Sequence, residues 1–570
     1  MTIQPPTSNH GESSLPELSA LARMATQLFR ELPISPDAGP PLLSAGVPAA
    51  ISRPTLTSAA VPTTLPGTPT LQPLPQSLPH QGLAHNHDSV TSAHENDDAL
   101  DRLADQALAN RLDSHSFYLP GQQSLEKLVK ELVSTSVSHP LSAGDTSLSV
   151  HPHILSYAAK NISGAGFDIH AVRRDFPILA ERINGKQLAW LDNAATTQKP
   201  QAVIDRLSYF YEHENSNIHR AAHTLAARST DAYESARQKI AHFIGAASSD
   251  EIVFVRGATE GINLIAQAFG QAFIRQGDEI IVSHLEHHAN IVPWQQVAAV
   301  KGASLKVIPV DDHGQILLDE FKKLINSKTR IVAISQVSNA LGTVVPVAEV
   351  IQIAHAAGVR VLVDGAQAVS HMPINVQAMD ADFYVFSGHK VFGPTGIGAV
   401  YGKLDLLNQL PPWQGGGNMI VDVTFERTIY HNAPARFEAG TGNIADAVGL
   451  GAAIDYLQHL GMSSIAAYEH SLLEYGTHQL HSVPGLRLIG TAADKASVLS
   501  FVIDGLPPED IGIALNEEGI AVRSGHHCAQ PILRRFGLEA TVRPSLAFYN
   551  TCDEIDRLVD VLRHLSRRRY

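Results

Sequence analysis

A wholly apolar run, Val361-Leu362-Val363, ends in a carboxylate at Asp364 and continues as Gly365-Ala366-Gln367. Its composition and abrupt polar end read as a buried strand whose carboxyl terminus meets a ligand. Twenty-six residues on (390 − 364), a second such strand, Phe383-Tyr384-Val385-Phe386, runs into Ser387-Gly388-His389-Lys390 and the glycine-rich Phe392-Gly393-Pro394-Thr395-Gly396. A hydroxyl, an imidazole and an amine therefore leave one strand end together. Singly, each has an ordinary reading, since a strand-end Asp often caps a helix and a Lys usually sits on solvated surface. Together they form the set that a pyridoxal-phosphate site requires: an amine for the Schiff base, a carboxylate partner for the pyridinium nitrogen, and donors for the phosphate.

Such a site needs strand ends to stand on, and the chain supplies them from about Phe167 onward. Short β-rich runs at Ile252 to Val255, Glu279 to Val282, Leu305 to Pro309, Ile331 to Ser335, Val359 to Val363 and Phe383 to Phe386 alternate with helix-period segments. That alternation predicts an α/β fold with a mostly parallel sheet covered on both faces. Residues 167–427 read as this large domain. Residues 428–570, with strands at Pro484 to Leu488, Ala496 to Ile503 and Ile520 to Arg523, read as a smaller α/β domain. At 570 residues the chain is long enough for both.

The N-terminal part has a different texture. Its first 80 residues hold 15 of the 33 prolines, and residues 1–160 contain only Phe29, Phe117, Tyr118 and Tyr157 of the 34 aromatic residues. Missing backbone donors and missing core formers predict a disordered arm. Islands of helical periodicity interrupt it at Leu18 to Phe29, Leu100 to Leu112 and Leu125 to Val133, with the apolar tetrad Phe117-Tyr118-Leu119-Pro120 between the last two. Either they are accidents of an inert linker, or they are docking segments that fold on a partner.

A formal net charge of −14 argues against nucleic acid or anionic membrane as a partner. There is no secretory signal, transit peptide or long apolar span, so a cytoplasmic location is expected. Two cysteines, Cys528 and Cys552, can build neither a disulfide framework nor a four-thiolate metal site, and no metal is expected.

From about residue 167 to 570 the chain resembles the group II cysteine desulfurases of the Suf and Csd type, a class V branch of fold-type I pyridoxal-phosphate enzymes. The resemblance rests on Leu191-Asp192-Asn193-Ala194-Ala195-Thr196-Thr197, Asn217-Ile218-His219-Arg220, and Arg256-Gly257-Ala258-Thr259-Glu260-Gly261-Ile262-Asn263. It continues through Glu286-His287-His288-Ala289-Asn290, Ser338-Asn339, the Asp364 and Lys390 segments, Glu438-Ala439-Gly440-Thr441, and Arg523-Ser524-Gly525-His526-His527-Cys528-Ala529. Departures are small: Ala258, Ser524 and Gly442 replace residues usual in the family, and none removes a reacting atom.

The resemblance implies pyridoxal 5'-phosphate as cofactor, with Lys390 forming the Schiff base and moving protons, and Asp364 holding the ring nitrogen protonated. It implies that Gln367 and Asn339 hydrogen-bond the ring hydroxyl region and that His287 stacks on the ring, the plainer reading of His287 being a buried, satisfied histidine. Thr259, Ser387 and His389 would form the phosphate cup, with Thr441 reaching it from a neighbouring subunit of a homodimer. Arg523 and Arg543 would clamp the carboxylate of the substrate L-cysteine, Asn339 beside them; a surface ion pair is the alternative for Arg543. Cys528 would take sulfur as a persulfide, His526 or His527 assisting, and pass it to a separate acceptor protein. Cys552 has no such setting and reads as structural.

The arm is similar in texture to the cargo-loading extensions of desulfurases packaged in family 2 encapsulin shells. That likeness implies a shell protein as partner through residues 1–160; iron–sulfur assembly and sulfur storage both stay open as the use of the persulfide. Two alternatives stand beside the desulfurase reading: another class V lyase, selenocysteine lyase included, and a sulfur-storing cargo protein with little turnover.

Overall fold

The structure is a computed structural model that describes residues 168–218 and 223–567. The arm and its four apolar islands lie outside the described residues, as do His219 and Arg220.

Seven strands form the main sheet: β1 (Ile252–Val255), β2 (Glu279–Ser283), β3 (Ser304–Ile308), β4 (Thr329–Ser335), β5 (Arg360–Asp364), β6 (Phe383–Ser387) and β7 (Gly398–Gly402). Their order is β1-β7-β6-β5-β4-β2-β3. All neighbours pair in parallel except β7, which runs antiparallel to both β6 and β1. Every residue of β1, β6 and β7 is buried, as expected where helices cover both faces. The six strands expected here from apolar runs are all present, with ends shifted by a residue or two. β7 was not expected: its glycine-flanked Gly-Ala-Val-Tyr-Gly is too short an apolar run to mark a strand. Packing explains the glycine, because a Cβ on Gly398 would lie 2.4 Å from the carbonyl oxygen of Phe386.

A second, antiparallel sheet has the order β8-β9-β11-β10, from β8 (Leu486–Leu488), β9 (Phe501–Ile503), β10 (Arg523–Gly525) and β11 (Thr541–Arg543). Strand β11, also unforeseen, is only three residues long and ends before Pro544, too short to show a period in sequence. A separate two-stranded pair sets Ala189–Trp190 parallel to Ile520–Ala521, and a bridge links Asp192 to Ser545. Helix α1 (Ala258–Phe273) follows β1 and buries Ile262, Ile265 and Phe269 against the main sheet.

Register carries the chemistry. Asp364 ends β5 opposite Ser335 of β4 and Val385 of β6, so the carboxyl ends of three adjacent strands open on one place. The registry of β5 with β6 is fastened by Asp382, whose side chain is fully buried. It accepts the Val361 N–H at 2.8 Å and is matched by Arg360 at 3.0 Å and His355 at 2.7 Å. Replacing Asp382 with Ala strands those donors. The expected cost is about 1 to 3 kcal/mol in chemical denaturation, the range for a buried donor left unsatisfied, here the Val361 N–H, because Arg360 and His355 keep access to water; no measurable loss would contradict this placement.

Candidate active site

A cavity of about 210 Å³ opens at the carboxyl ends of β4, β5 and β6. Asp364 and Lys390 line it, with Gln367, Ser387, His389, Thr259, His287, Asn339, Arg523, Arg543 and Cys528. Eleven of the twelve residues expected at the site therefore meet in one space. Thr441 does not: it is exposed and lines another cavity, its hydroxyl 3.4 Å from Asn217 Oδ1.

Lys390 leaves the short turn after β6 and its ammonium is desolvated, which pushes its pKa down to about 8. Asp364 opposes that fall, while the Arg543 charge adds to it. Asp364 is itself buried and held above the usual carboxylate range by desolvation, with the Ala366 N–H, at 2.9 Å, pulling the other way. His287 begins a 3₁₀ turn and accepts the Ala289 N–H at Nδ1, so its neutral ring carries the proton on Nε2. Burial first, and then Lys390, lowers its pKa to about 3. It lines the cavity and is not a satisfied core histidine.

The remaining polar groups are tied down in pairs. Ser387 Oγ accepts the Ala258 N–H at 2.8 Å and so joins β6 to the start of α1, whose N-cap Gly257 offers no side chain. Gln367 donates to the Ala194 carbonyl at 2.6 Å, and His389 Nδ1 meets Thr196 Oγ1 at 3.2 Å. Asn339 donates to the carbonyl of His527 at 2.7 Å, which leaves its Oδ1 buried without a partner. Arg543 is fully buried, contrary to the surface alternative. It donates to the Asn339 carbonyl at 3.0 Å and faces Asp192 at 3.4 Å.

Cys528 is exposed at the mouth, on a turn where it and His527 both adopt a left-handed backbone, each with φ 53°. Three contacts hold that strained turn: Asn339 to the His527 carbonyl, His288 N–H to the Cys528 carbonyl at 2.9 Å, and His527 Nε2 to Thr541 Oγ1 at 2.9 Å. His526 Nδ1 accepts the N–H of Cys528. His527 is buried, and desolvation with the Arg543 charge lowers its pKa to about 3. Cys552 starts the helix Cys552–Arg567 and is packed beside the core, where burial pushes its thiol up to about 11.

The chain is similar to known proteins. The class V aminotransferase family matches residues 189–558. A cysteine desulfurase of Synechococcus elongatus is 57% identical over 518 residues, 90% of this chain and 80% of the relative. One of Dickeya dadantii is 50% identical over 70% of this chain and 97% of its own. The chain belongs to the class V cysteine desulfurases. The crystal structure of the Escherichia coli cysteine desulfurase CsdA (S-sulfonic acid) overlays with a TM-score of 0.65 at 40% identity, covering 70% of this chain and 98% of CsdA. The expected fold, a fold-type I pyridoxal-phosphate transferase with a mostly parallel sheet, is the one observed.

Pyridoxal 5'-phosphate is the cofactor of this desulfurase, and the residues present fit it. A low-pKa amine and a buried carboxylate face one cavity, the unpartnered Asn339 Oδ1 is free for a ring substituent, and the first turn of α1 at Thr259 suits a phosphate. Sequence reasoning passed over Asp192. It sat in a quoted motif with no role, because its partners Arg523 and Arg543 lie more than three hundred residues away.

The Lys390 environment makes a prediction about cofactor loading. An ammonium cannot attack an aldehyde, so apoenzyme should take up pyridoxal phosphate faster as pH rises, with a midpoint near 8. Absorbance of the reconstituted enzyme, followed after mixing at a series of pH values, reads this. A midpoint near 10, as for a solvated lysine, would mean that the amine is not desolvated.

Proposed function

We propose that the chain converts L-cysteine and the Cys528 thiol into L-alanine and a Cys528 persulfide, and that a separate acceptor protein collects the sulfur. The observation that carries this reading is the placement of an exposed thiol on the rim of the cavity that holds Lys390 and Asp364.

Arg523 and Arg543 take the substrate carboxylate, their forks matching its two oxygens. Lys390, its free amine poised near 8, would hold the cofactor and would move the proton at the substrate α-carbon. Asp364 keeps the ring nitrogen protonated. Bound there, pyridoxal phosphate supplies a cationic ring that spreads the negative charge left at that carbon. His287, neutral at physiological pH, would face the bound cofactor and can donate only from Nε2. Gln367 and Asn339 address the ring hydroxyl side, while Ser387, His389 and Thr259 hold the phosphate. The Cys528 thiolate attacks the substrate sulfur, the carbon–sulfur bond breaks, and the carbon left behind is protonated to alanine.

The division of labour follows the two sheets: residues 167–427 bind the cofactor and 428–570 bring the arginines and the cysteine. Thr441, exposed and remote from this cavity, fits a homodimer in which it completes the phosphate cup of the neighbouring subunit. For the arm, the reading is encapsulin loading through residues 1–160, which would place the enzyme inside a shell as a sulfur store or supply. Support comes from the coverage figures. CsdA accounts for 70% of this chain, whereas the Synechococcus elongatus relative aligns over 518 residues, more than the 403 from 168 to 570 (570 − 167).

Two experiments test this. Purified enzyme should be yellow; Lys390→Ala should lose the colour, while Cys528→Ser should keep it and stop alanine release from L-cysteine. Unchanged turnover in the serine variant would overturn the persulfide route. Deleting residues 1–160 should leave turnover intact and abolish co-purification with shell particles, and a deletion variant that still loads would remove the arm's assigned role.

A further inference from the structure

Arg523 and Arg543 are directly opposite partners on β10 and β11. Two like charges at opposed positions of adjacent strands repel each other, and Arg543 is buried, so water does little to screen the pair. Left to themselves they would separate, Arg523 most easily because its side chain is 52% exposed.

Asp192 faces both from outside their sheet. Its Oδ2 accepts from Arg523 Nε at 3.2 Å and Nη2 at 3.1 Å, and its Oδ1 lies 3.4 Å from Arg543 Nη2. The carboxylate is itself firmly placed. The Asp192 backbone bridges to Ser545, and its carbonyl accepts the N–H groups of Ala195 and Thr196. Arg543 Nη1 is spent on the Asn339 carbonyl, while its Nε remains buried without a partner.

We propose that Asp192 is a positioning residue for substrate recognition, holding Arg523 and Arg543 converged so that their unspent N–H groups receive the substrate α-carboxylate. This rests on the reading of the two arginines as the carboxylate clamp. One negative charge between two positive ones leaves the pair with a net charge of +1, which a single carboxylate neutralises. The arrangement therefore selects amino acids with a free carboxylate over their esters and amides. Asp192 touches no reacting atom, and its effect passes through the arginines alone.

The test compares ligands that differ only in that charge. Binding of L-alanine and of L-alaninamide to the holoenzyme is measured by calorimetry, with steady-state turnover of L-cysteine alongside. Asp192→Asn is expected to weaken L-alanine about tenfold, the scale of one charge-assisted hydrogen bond, and to change L-alaninamide less than about twofold. KM for L-cysteine should rise more than kcat falls. Equal weakening of both ligands, no weakening, or tighter L-alanine binding would each overturn the proposal, the last by making Asp192 a competitor of the substrate. Asp192→Glu, which keeps the charge and displaces the guanidinium groups, should give the same selective loss and serves if the Asn variant does not fold. Arg523→Ala separates the two levels of the argument. If it too leaves the preference for L-alanine over its amide unchanged, the clamp reading fails. If it abolishes the preference and both Asp192 variants keep it, the assignment of Asp192 alone fails.

Discussion

Charges kept from water in mutual balance are the constraint on which this structure turns. Lys390, Asp364 and Arg543 are each desolvated, and desolvation favours their neutral forms: the amine falls to about 8, the guanidinium to about 10, and the carboxyl rises. Asp364 raises the Lys390 pKa and Asp192 that of Arg543, each against its desolvation, around one cavity of about 210 Å³. The imidazoles of His287, His389 and His527 meet the same environment without a carboxylate and are driven neutral. The cavity thus separates groups that hold charge from groups that offer hydrogen bonds and ring faces.

That balance is assembled from parts distant in the chain. The turn Asp192–Thr197 is the common fastening: Asp192 faces the arginines, the Ala194 carbonyl takes Gln367, and Thr196 and Thr197 both donate to the His389 carbonyl. Asn193 and Ala194 are pinned in turn to Ser545, and Asn193 also to Asn550. One short segment therefore touches the ends of β5 and β6 and the arginines of the second sheet. Below it, Glu286 gathers Ser283, Ser335 and Asn290 around a buried carboxyl whose pKa desolvation pushes up to about 7, which anchors the turn carrying His287 to the end of β4.

The cysteine turn is built on another principle. His527 and Cys528 hold left-handed backbone conformations, unfavourable for residues with a Cβ, and the turn persists because Asn339, His288 and Thr541 hold it from three sides. A thiol on such a turn is presented at the rim instead of packed within, in contrast to Cys552, whose neighbours treat it as a small apolar group. Exposure at the rim is the geometry that handing sulfur to a second protein would require.

Local residue pattern was enough for the parts of this protein that repeat along a strand. Apolar runs at β1 to β6 marked the parallel sheet, and the polar residues that end β5 and β6 marked its active edge, because a strand buried on both faces must be apolar until it meets a ligand. Motif resemblance was enough to nominate the cavity residues by type. It could not reveal partnership across distance: that Arg523 and Arg543 are cross-strand neighbours, that Asp192 lies between them, that Gln367 is bound to Ala194, or that Thr441 stands apart from this cavity. Gly398 shows the limit, since its short glycine-flanked strand carries no marked apolar run and its place in the sheet depends on another backbone pressed against it. Composition and period belong to the chain, and the chain alone determined them; the balance of buried charge depends on distances between segments hundreds of residues apart, which only the packed structure decides.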